Sequence, residues 1–398
     1  MISKLSKKDP VAVAFFLVAV GVCAALNVWK LPPALPALQA ELGLSLVESG
    51  FLLSSVQVAG MLLGLATGLM AERIGLRRCI LIGLAILSLA SLGTTLLQSK
   101  SLILLSRALE GFGFLMVVLP APALIKRIVP ADTVSRIMGL WGCYMPAGAV
   151  VMLLGGSWLL SVSSWRVLWL VVAGMTFFVF LLSLLFIPKA SDRRSDSSSS
   201  IAYMVLTTLR ARRVWLVALI FGLYAAQWSA VIGFLPSIYA EAKISGPMAG
   251  LLSALVAGSN IVGNLLAGRW LYQGVAVARL LISGYVVMIV SAMVAFGLEQ
   301  GVALQFFAVL VLSIVGGLIP ATCFFLAVSF APNAQTTSST IGWVQQGSAM
   351  GQFFGAPLVA WVVSLLGGWQ WAWVATGGLA LAGIAIVLWL NQTEVMPN

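Results

Sequence analysis

Apolar runs follow one another along this chain, each about as long as a helix that crosses a hydrocarbon layer. Twelve can be marked, at roughly 11–38, 46–71, 79–98, 101–125, 137–160, 165–187, 213–238, 247–270, 279–298, 302–330, 338–366 and 369–390, against the ~20 residues that a spanning helix requires. Hydrophobic residues make up 61% of the 398, and the mean hydropathy is +1.08. A soluble domain cannot hide that much apolar surface. A β-barrel would show short alternating strands instead, and none is legible. The first run has no small-residue cleavage site where a signal peptide would end, so it is kept as a helix. The sequence predicts an all-α membrane protein with twelve transmembrane helices.

The charges are few, 8% of residues, and unbalanced at +11. Their placement argues for topology rather than nucleic-acid binding. If the N-terminus is cytoplasmic, most Lys and Arg fall in cytoplasmic segments, such as Lys7 and Lys8, Arg77 and Arg78, Lys126 and Arg127, Arg193 and Arg194. That is the positive-inside bias, with both termini cytoplasmic. Cys23, Cys79, Cys143 and Cys323 are scattered, and histidine is absent. No thiolate metal site, disulfide framework or Ser-His chemistry is expected. No nucleotide loop or nucleophile–base set is visible, so the chain is read as neither an enzyme nor a cofactor binder.

Several polar stretches interrupt the apolar pattern. Gly68-Leu-Met-Ala-Glu-Arg-Ile-Gly-Leu-Arg-Arg78 packs Glu72, Arg73, Arg77 and Arg78 into a turn around Gly75. It joins two antiparallel helices on one side of the membrane. Gly60, Gly64 and Gly68 precede it on one helix face, which suits close packing. The first helix ends in Asn27-Val-Trp-Lys-Leu-Pro-Pro-Ala-Leu-Pro36, and Asn27 lies about 24 Å along it from Val11, in the outer half of the bilayer. Lys30 either snorkels to the outer interface or faces a cavity, and Trp29 is either an interfacial anchor or part of a cavity wall. Arg107 and Glu110 share a face of the fourth segment. Ionisable groups inside a membrane face a partner or a wet cavity, so they are either a structural pair or part of a site. Pro120 and Pro122 loosen the same helix, and Met145-Pro146-Ala-Gly148 bends the fifth.

A polar stretch beginning Pro188-Lys-Ala-Ser-Asp-Arg-Arg opens a linker over 188–212, after six helices and before six more. The second half repeats the first at an offset of about 200 that drifts by a few residues. Asn27 falls on Gln227, Leu35-Pro36 on Leu235-Pro236, Trp141 on Trp343 and Trp165 on Trp369.

The Gly68–Arg78 stretch resembles the loop signature between helices 2 and 3 of the major facilitator superfamily, Gly-x-x-x-Asp-Arg-x-Gly-Arg-Arg/Lys, with Glu72 in the Asp position. Arg107-Ala-Leu-Glu-Gly-Phe-Gly113 resembles its helix-4 signature, Arg-x-x-Gln-Gly-x-Gly, with Glu110 in the Gln position. The resemblance implies two pseudo-symmetric six-helix bundles, 1–187 and 213–398, joined by the 188–212 linker. It further implies a central cavity and secondary active transport by alternating access, in a bacterial inner membrane and as a monomer. Asn27 followed by a cation, the Leu-Pro-Pro exit and the Met145-Pro146 bend are similar to the cyanate/2-nitroimidazole permease-like branch. A proton-driven multidrug exporter is the alternative, although the Gly-Pro pair common at the exporters' helix-5 bend is missing.

Helices 1, 4 and 7 line the cavity in the resembled fold. The expected substrate-binding residues are therefore Asn27, Trp29, Lys30, Arg107, Trp141, Tyr144, Gln227, Trp228 and Trp343. Together they suit a small anionic or polar solute, with Glu110 as the proton-coupling carboxylate. Gly68, Glu72, Arg73, Gly75, Arg77 and Arg78 form an expected inner latch, in which Glu72 meets the start of helix 11 at Thr336–Thr340.

Overall fold

The computed structural model describes residues 9–188, 201–298, 301–333 and 336–393, with side chains described for all of these but 67–70, 72, 73, 131, 132, 134–136, 139, 201, 202, 338 and 393. Among the described residues every regular element is helical. Twelve stretches are long and apolar enough to span a membrane: α1 (Pro10–Leu42), α2 (Leu46–Ala66), α3 (Leu76–Thr94), α4 (Lys100–Ile128), α5 (Tyr144–Val162), α6 (Trp165–Phe186), α7 (Arg212–Glu241), α8 (Gly246–Tyr272), α9 (Val277–Gly297), α10 (Val302–Ser329), α11 (Ser339–Leu366) and α12 (Trp369–Gln392). They form two six-helix bundles, α1–α6 and α7–α12. The face where α1 begins and α12 ends is called the terminal face below, and the other the opposite face.

Proline chemistry breaks several spans at defined places. α1 is two helices, Pro10–Trp29 and Leu31–Leu42, with a turn at Lys30. Pro32 lacks an N–H and therefore leaves the carbonyl of Val28 without its helical partner. α4 breaks at Leu119, between Lys100–Val118 and Pro120–Ile128. Its repeat partner α10 breaks at Gly317, three residues before Pro320. The expected fifth segment, 137–160, needs correction. One helix runs Ala131–Gly142, and the spanning helix starts afresh at Tyr144. Pro146 sits in its first turn, where a missing N–H is tolerated, so Met145-Pro146 opens a helix instead of bending one.

The turn between α2 and α3 is a single residue. The helix containing α2 continues to Ile74, Gly75 has φ +105°, and the next helix begins at Leu76. That backbone conformation is open to glycine and strained for other residues. The linker region expected at 188–212 is partly outside the described residues, and its second part is a helix, Ile201–Arg210. That helix docks on the start of α11, where the Thr208 and Ser339 hydroxyls lie 2.6 Å apart.

Small residues set the closest helix crossings. Gly347, Gly351 and Gly355 on α11 meet Ala218, Gly222 and Ala226 on α7, backbone against backbone. A β-carbon on Gly347 would lie 2.6 Å from the Ala218 carbonyl oxygen. Between the halves, α2 lies along α11: Gly50 faces Ala356 and Pro357, Gly60 faces Ala349, and Gly64 faces Gln346. The expectation that the α2 glycines serve close packing holds for Gly60 and Gly64, while the surroundings of Gly68 are outside the described residues. The repeat partner of this seam joins α5 to α8, with Gly250 against Leu153 and Ser157 and Gly258 against Val150.

Candidate functional site

Three ionisable side chains are packed together inside the first half. Lys30, Arg107 and Glu110 are each 0% exposed. Lys30 Nζ donates to Glu110 Oε1 at 2.7 Å, to Asn27 Oδ1 at 3.4 Å and to the Ser91 hydroxyl. Those three acceptors use all three of its donors. Arg107 Nη1 donates to Glu110 Oε2 and to the Asn27 carbonyl, and Nη2 donates to the Val28 carbonyl at 3.2 Å. These are the carbonyls left over at the α1 break, one of them freed by Pro32. Ser91 adds a hydrogen bond to Glu110 Oε1 at 2.9 Å, and Asn27 Nδ2 donates to the Thr176 hydroxyl at 3.0 Å. Lys30 Nζ also lies 4.8 Å from the centre of the Trp169 ring, a cation–π contact. α1, α3, α4 and α6 thus each contribute to one cluster. Desolvating an ion is expensive, and paired charges with satisfied hydrogen bonds are the stable way to bury it. Two cations against one carboxylate leave a formal charge of +1.

A second polar group lies between the halves. A small cavity is lined by Trp29 at the end of the first α1 helix, Ser54 and Gln57 on α2, Ser229 and Gly233 on α7, and Gln352 on α11, with Val28, Leu53, Val56 and Ala356 around them. Gln57 Nε2 donates to Gln352 Oε1 at 3.0 Å, linking one half to the other. The Trp29 Nε1 and Ser229 Oγ atoms are buried without a hydrogen-bond partner among the described residues. Trp29, 5% exposed, meets Trp228 edge-on with ring centres 5.6 Å apart. A buried donor without an acceptor costs free energy, and an occupant carrying an acceptor would remove that cost.

The residues expected to share one cavity separate into several places. Asn27, Lys30, Arg107 and Glu110 form the sealed cluster, while Trp29 and Trp228 face each other at the boundary between the halves. Gln227 turns back to the Leu223 carbonyl of its own helix at 3.0 Å. Trp141 stacks on Tyr144 with centres 4.7 Å apart and covers Gly21. Trp343 packs against Trp215 near the terminal face, with centres 4.5 Å apart. The single shared cavity is therefore corrected. Inside a membrane, opposite charges and hydrogen-bonding groups find one another first, and the cations of the first half are consumed by its own carboxylate.

Of the expected latch, Gly75 makes the turn, and Arg77 donates from Nε and Nη2 to the Ile187 and Leu184 carbonyls, at 2.9 and 3.0 Å. Arg77 thereby caps the end of α6 within its own half, as suits a cation at a helix C-terminus. Arg78 is exposed. The side chains of Glu72 and Arg73, with Gly68, lie outside the described residues, and so does the expected contact of Glu72 with Thr336–Thr340. A different contact joins α2 to α11 there. Gln346 Nε2 donates to the Met61 carbonyl at 2.7 Å, and the Leu65 amide donates to Gln346 Oε1 at 2.9 Å. One side-chain amide thus bridges an i, i+4 pair of backbone groups.

Gln57, Gln352 and Gln346 escaped the sequence reading, as did Ser91 and Thr176. A usable signal existed for the α11 residues. Gly347, Gly351 and Gly355 recur at the spacing that marks a helix-packing face, and three glutamines, Gln345, Gln346 and Gln352, sit among them in an otherwise apolar span. Among the described residues no His/Cys/Asp/Glu group has the makings of a metal site.

Comparison with known proteins places this architecture. An uncharacterised MFS-type transporter of Mycobacterium tuberculosis is 31% identical over 134 residues, 34% of this chain and 19% of that protein. The methyl viologen resistance protein SmvA of Salmonella typhimurium is 28% identical over 379 residues, 93% of this chain and 66% of that protein. The chain thus spans less than two-thirds of the length of either relative. The fold is shared with a bacterial homologue of the human lysosomal transporter Spinster in an inward-facing, occupied conformation. That structure has a TM-score of 0.78 at 16% identity, covering 98% of each chain. The family described as Major Facilitator Superfamily matches residues 17–226 and again 217–397, one match over each half, and the chain belongs to that superfamily as an integral membrane protein.

Proposed function

We propose that this chain is a secondary active transporter that moves a small anionic or polar organic solute by alternating access, coupled to protons at Glu110. In this reading it works as a monomer in a bacterial inner membrane, with both termini cytoplasmic. One observation carries the proposal. The two halves line a cavity to which both contribute hydrogen-bonding groups, and two of those groups, Trp29 Nε1 and Ser229 Oγ, are buried without a partner among the described residues. A site between repeat halves near the membrane midplane is where rocking of one half against the other exposes a solute to each side in turn. Glu110 suits the coupling role because protonating it removes the one negative charge that Lys30 and Arg107 share. The cluster would then hold two like charges, and its packing would have to change. The likeness of Asn27, Lys30 and the Met145-Pro146 stretch to the cyanate/2-nitroimidazole permease-like branch makes cyanate and 2-nitroimidazole the first solutes to test.

The second reading, a proton-driven multidrug exporter, is favoured by the methyl viologen resistance relative, which aligns over 93% of this chain. The two readings separate in proteoliposomes loaded with a pH-sensitive dye and offered cyanate, 2-nitroimidazole or methyl viologen. Proton movement with cyanate or 2-nitroimidazole, abolished in Glu110→Gln, is the expected result. Proton movement with methyl viologen alone would establish the exporter reading, and none with any of the three would remove the transport proposal for these solutes.

A further inference from the structure

We infer that the cavity between the halves selects an uncharged solute bearing a hydrogen-bond acceptor, read by the Trp29 N–H and by the Gln57–Gln352 amide pair. The inference rests on the transport reading above for the identity of the cavity, and it narrows that reading's solutes to the uncharged ones, favouring 2-nitroimidazole over the cyanate anion. Among the described residues no charged side chain lines the cavity. The cations nearest in sequence are committed elsewhere: Lys30 spends its three donors on Glu110, Ser91 and Asn27, and Arg107, whose Nε alone finds no partner among the described residues, spends both terminal nitrogens on Glu110, Asn27 and Val28 inside the sealed cluster. An anion entering the cavity would lose its hydration and gain no counter-charge. A cation fares no better, because Glu110 has both oxygens occupied and is 0% exposed. Burying a charge without a partner is strongly unfavourable.

An uncharged acceptor meets the opposite situation. Trp29 is 5% exposed, yet its N–H has no acceptor among the described residues, and the Ser229 hydroxyl has no partner there either. Gln57 and Gln352 already pair amide to amide at 3.0 Å, so a ligand with an amide-like edge, which donates and accepts, can insert between them and keep both amides paired. Leu53 and Val56 supply an apolar wall for the rest of the molecule. One amide comes from each half, so the occupant is read by both halves at once.

A matched series of one ring and three charges tests this on the full chain in lipid nanodiscs. Benzamide, benzoate and benzylammonium share their shape and differ in charge. Benzamide is expected to bind at least about tenfold more tightly than the other two. Trp29→Phe keeps a ring and drops the N–H, and should weaken benzamide about tenfold, the worth of one buried hydrogen bond. Gln352→Glu should move the preference to benzylammonium. Tighter binding of benzoate or benzylammonium by the unmodified chain, equal binding of all three, or binding of none at millimolar concentration would overturn the inference without any variant having to fold. A Trp29→Phe protein of unchanged melting temperature and unchanged benzamide affinity would overturn it too. The transport reading fails separately: benzamide bound in this pattern but never carried into proteoliposomes would remove transport and leave the selectivity, whereas carriage of benzoate would do the reverse.

Discussion

The two halves agree at their edges and differ in their cores. At the opposite face, the Trp165 indole donates to Glu41 at 2.7 Å, and its repeat partner Trp369 donates to Glu241 at 3.0 Å. Deeper in, the first half buries Lys30, Arg107 and Glu110, whereas the second has Ala230 in the Lys30 position. α10, the partner of α4, carries no Asp, Glu, Lys or Arg between Val302 and Ser329. Neutral groups fill the equivalent place. Trp228 Nε1 donates to the Ser313 hydroxyl at 3.1 Å, and Asn260 Nδ2 donates to the Tyr224 hydroxyl and the Ser313 carbonyl, both at 2.9 Å. The second half therefore shows that this bundle holds together without buried ions. Charges that the fold can do without, kept where they are expensive, point to work beyond folding.

The largest expected effect breaks that comparison at its centre. Glu110→Leu leaves two cations buried beside each other and should cost about 3–5 kcal/mol of stability. Ser313→Ala removes a neutral hydrogen bond and should cost about 1 kcal/mol. Replacing the whole triad, with Lys30→Met, Arg107→Leu and Glu110→Leu together, should restore most of the loss, because no unpaired charge remains. Denaturant unfolding of the purified variants in detergent reads all three. A Glu110→Leu protein no less stable than Ser313→Ala would mean that the cluster is wet or already neutral.

A second difference lies in how each half packs its own helices at the boundary. In the second half, α11 meets α7 through Gly347, Gly351 and Gly355, and a β-carbon on Gly351 would run into the Gly222 backbone. In the first half, α5 meets α1 through Gly148, where a β-carbon would lie 2.5 Å from the Ala25 β-carbon. The Gly351 clash is the more severe: its β-carbon would lie closer to the Gly222 carbonyl oxygen than the Gly148 β-carbon to that of Ala25. Gly351→Ala should cost about 1–3 kcal/mol and Gly148→Ala less, measured as melting temperatures under one set of conditions. Equal losses would show that the α1–α5 contact is as unyielding as the α7–α11 contact.

These elements differ in how well they can be read from residues alone. Hydropathy marks the twelve spans because each contains its own signal, and the repeat shows through Trp165/Trp369 and Asn27/Gln227. The Arg107–Glu110 pair is legible because helix period puts i and i+3 together. Nothing local says that Lys30 reaches the same carboxylate, since that contact joins α1 to α4 through the arrangement of the bundle. Helix period likewise cannot tell a core-facing polar residue from a cavity-facing one, so the sequence groups Gln227 and Trp343 with the binding residues and passes over Gln57 and Gln352. Hydropathy passes smoothly over the break at Cys143 and so sets the start of α5 too early.

The seams between the halves sharpen the contrast further. The α2–α11 seam carries the Gln346 amide across the Met61 carbonyl and Leu65 amide, while its repeat partner, α5–α8, meets through Gly258 and the Val150 methyls. Gln346→Leu removes two hydrogen bonds, each worth about 0.6 kcal/mol in a membrane, and should loosen the α2–α11 seam alone. Cysteines placed on α2 near the terminal face should then react faster with a polar maleimide, by about fivefold for a loss near 1 kcal/mol. Gly258→Ala, a change at the other seam, should leave those rates as they were. Equal acceleration by both variants would mean that the halves move apart as rigid bodies, with no seam acting separately.

The smallest expected effect tests the place where the halves agree. Glu41 accepts from Trp165 Nε1 and also pairs with Arg166 at 2.7 Å. Glu241 accepts from Trp369 Nε1, and the residue after that tryptophan is Gln370 where the first half has Arg166. The two clasps therefore share one neutral-donor hydrogen bond and differ by one exposed ion pair. Glu→Gln keeps an acceptor for the indole at both sites and removes the carboxylate charge. The loss at Glu41 should be about 1 kcal/mol or less, since exposed pairs gain little in water, and the loss at Glu241 smaller still. Salt is the decisive control: ions screen the Arg166–Glu41 attraction, so the gap between Glu41→Gln and Glu241→Gln melting temperatures should close as ionic strength rises. A gap that persists in high salt would show that the Trp165 hydrogen bond itself depends on the charge, and that the two clasps are less alike than their geometry suggests.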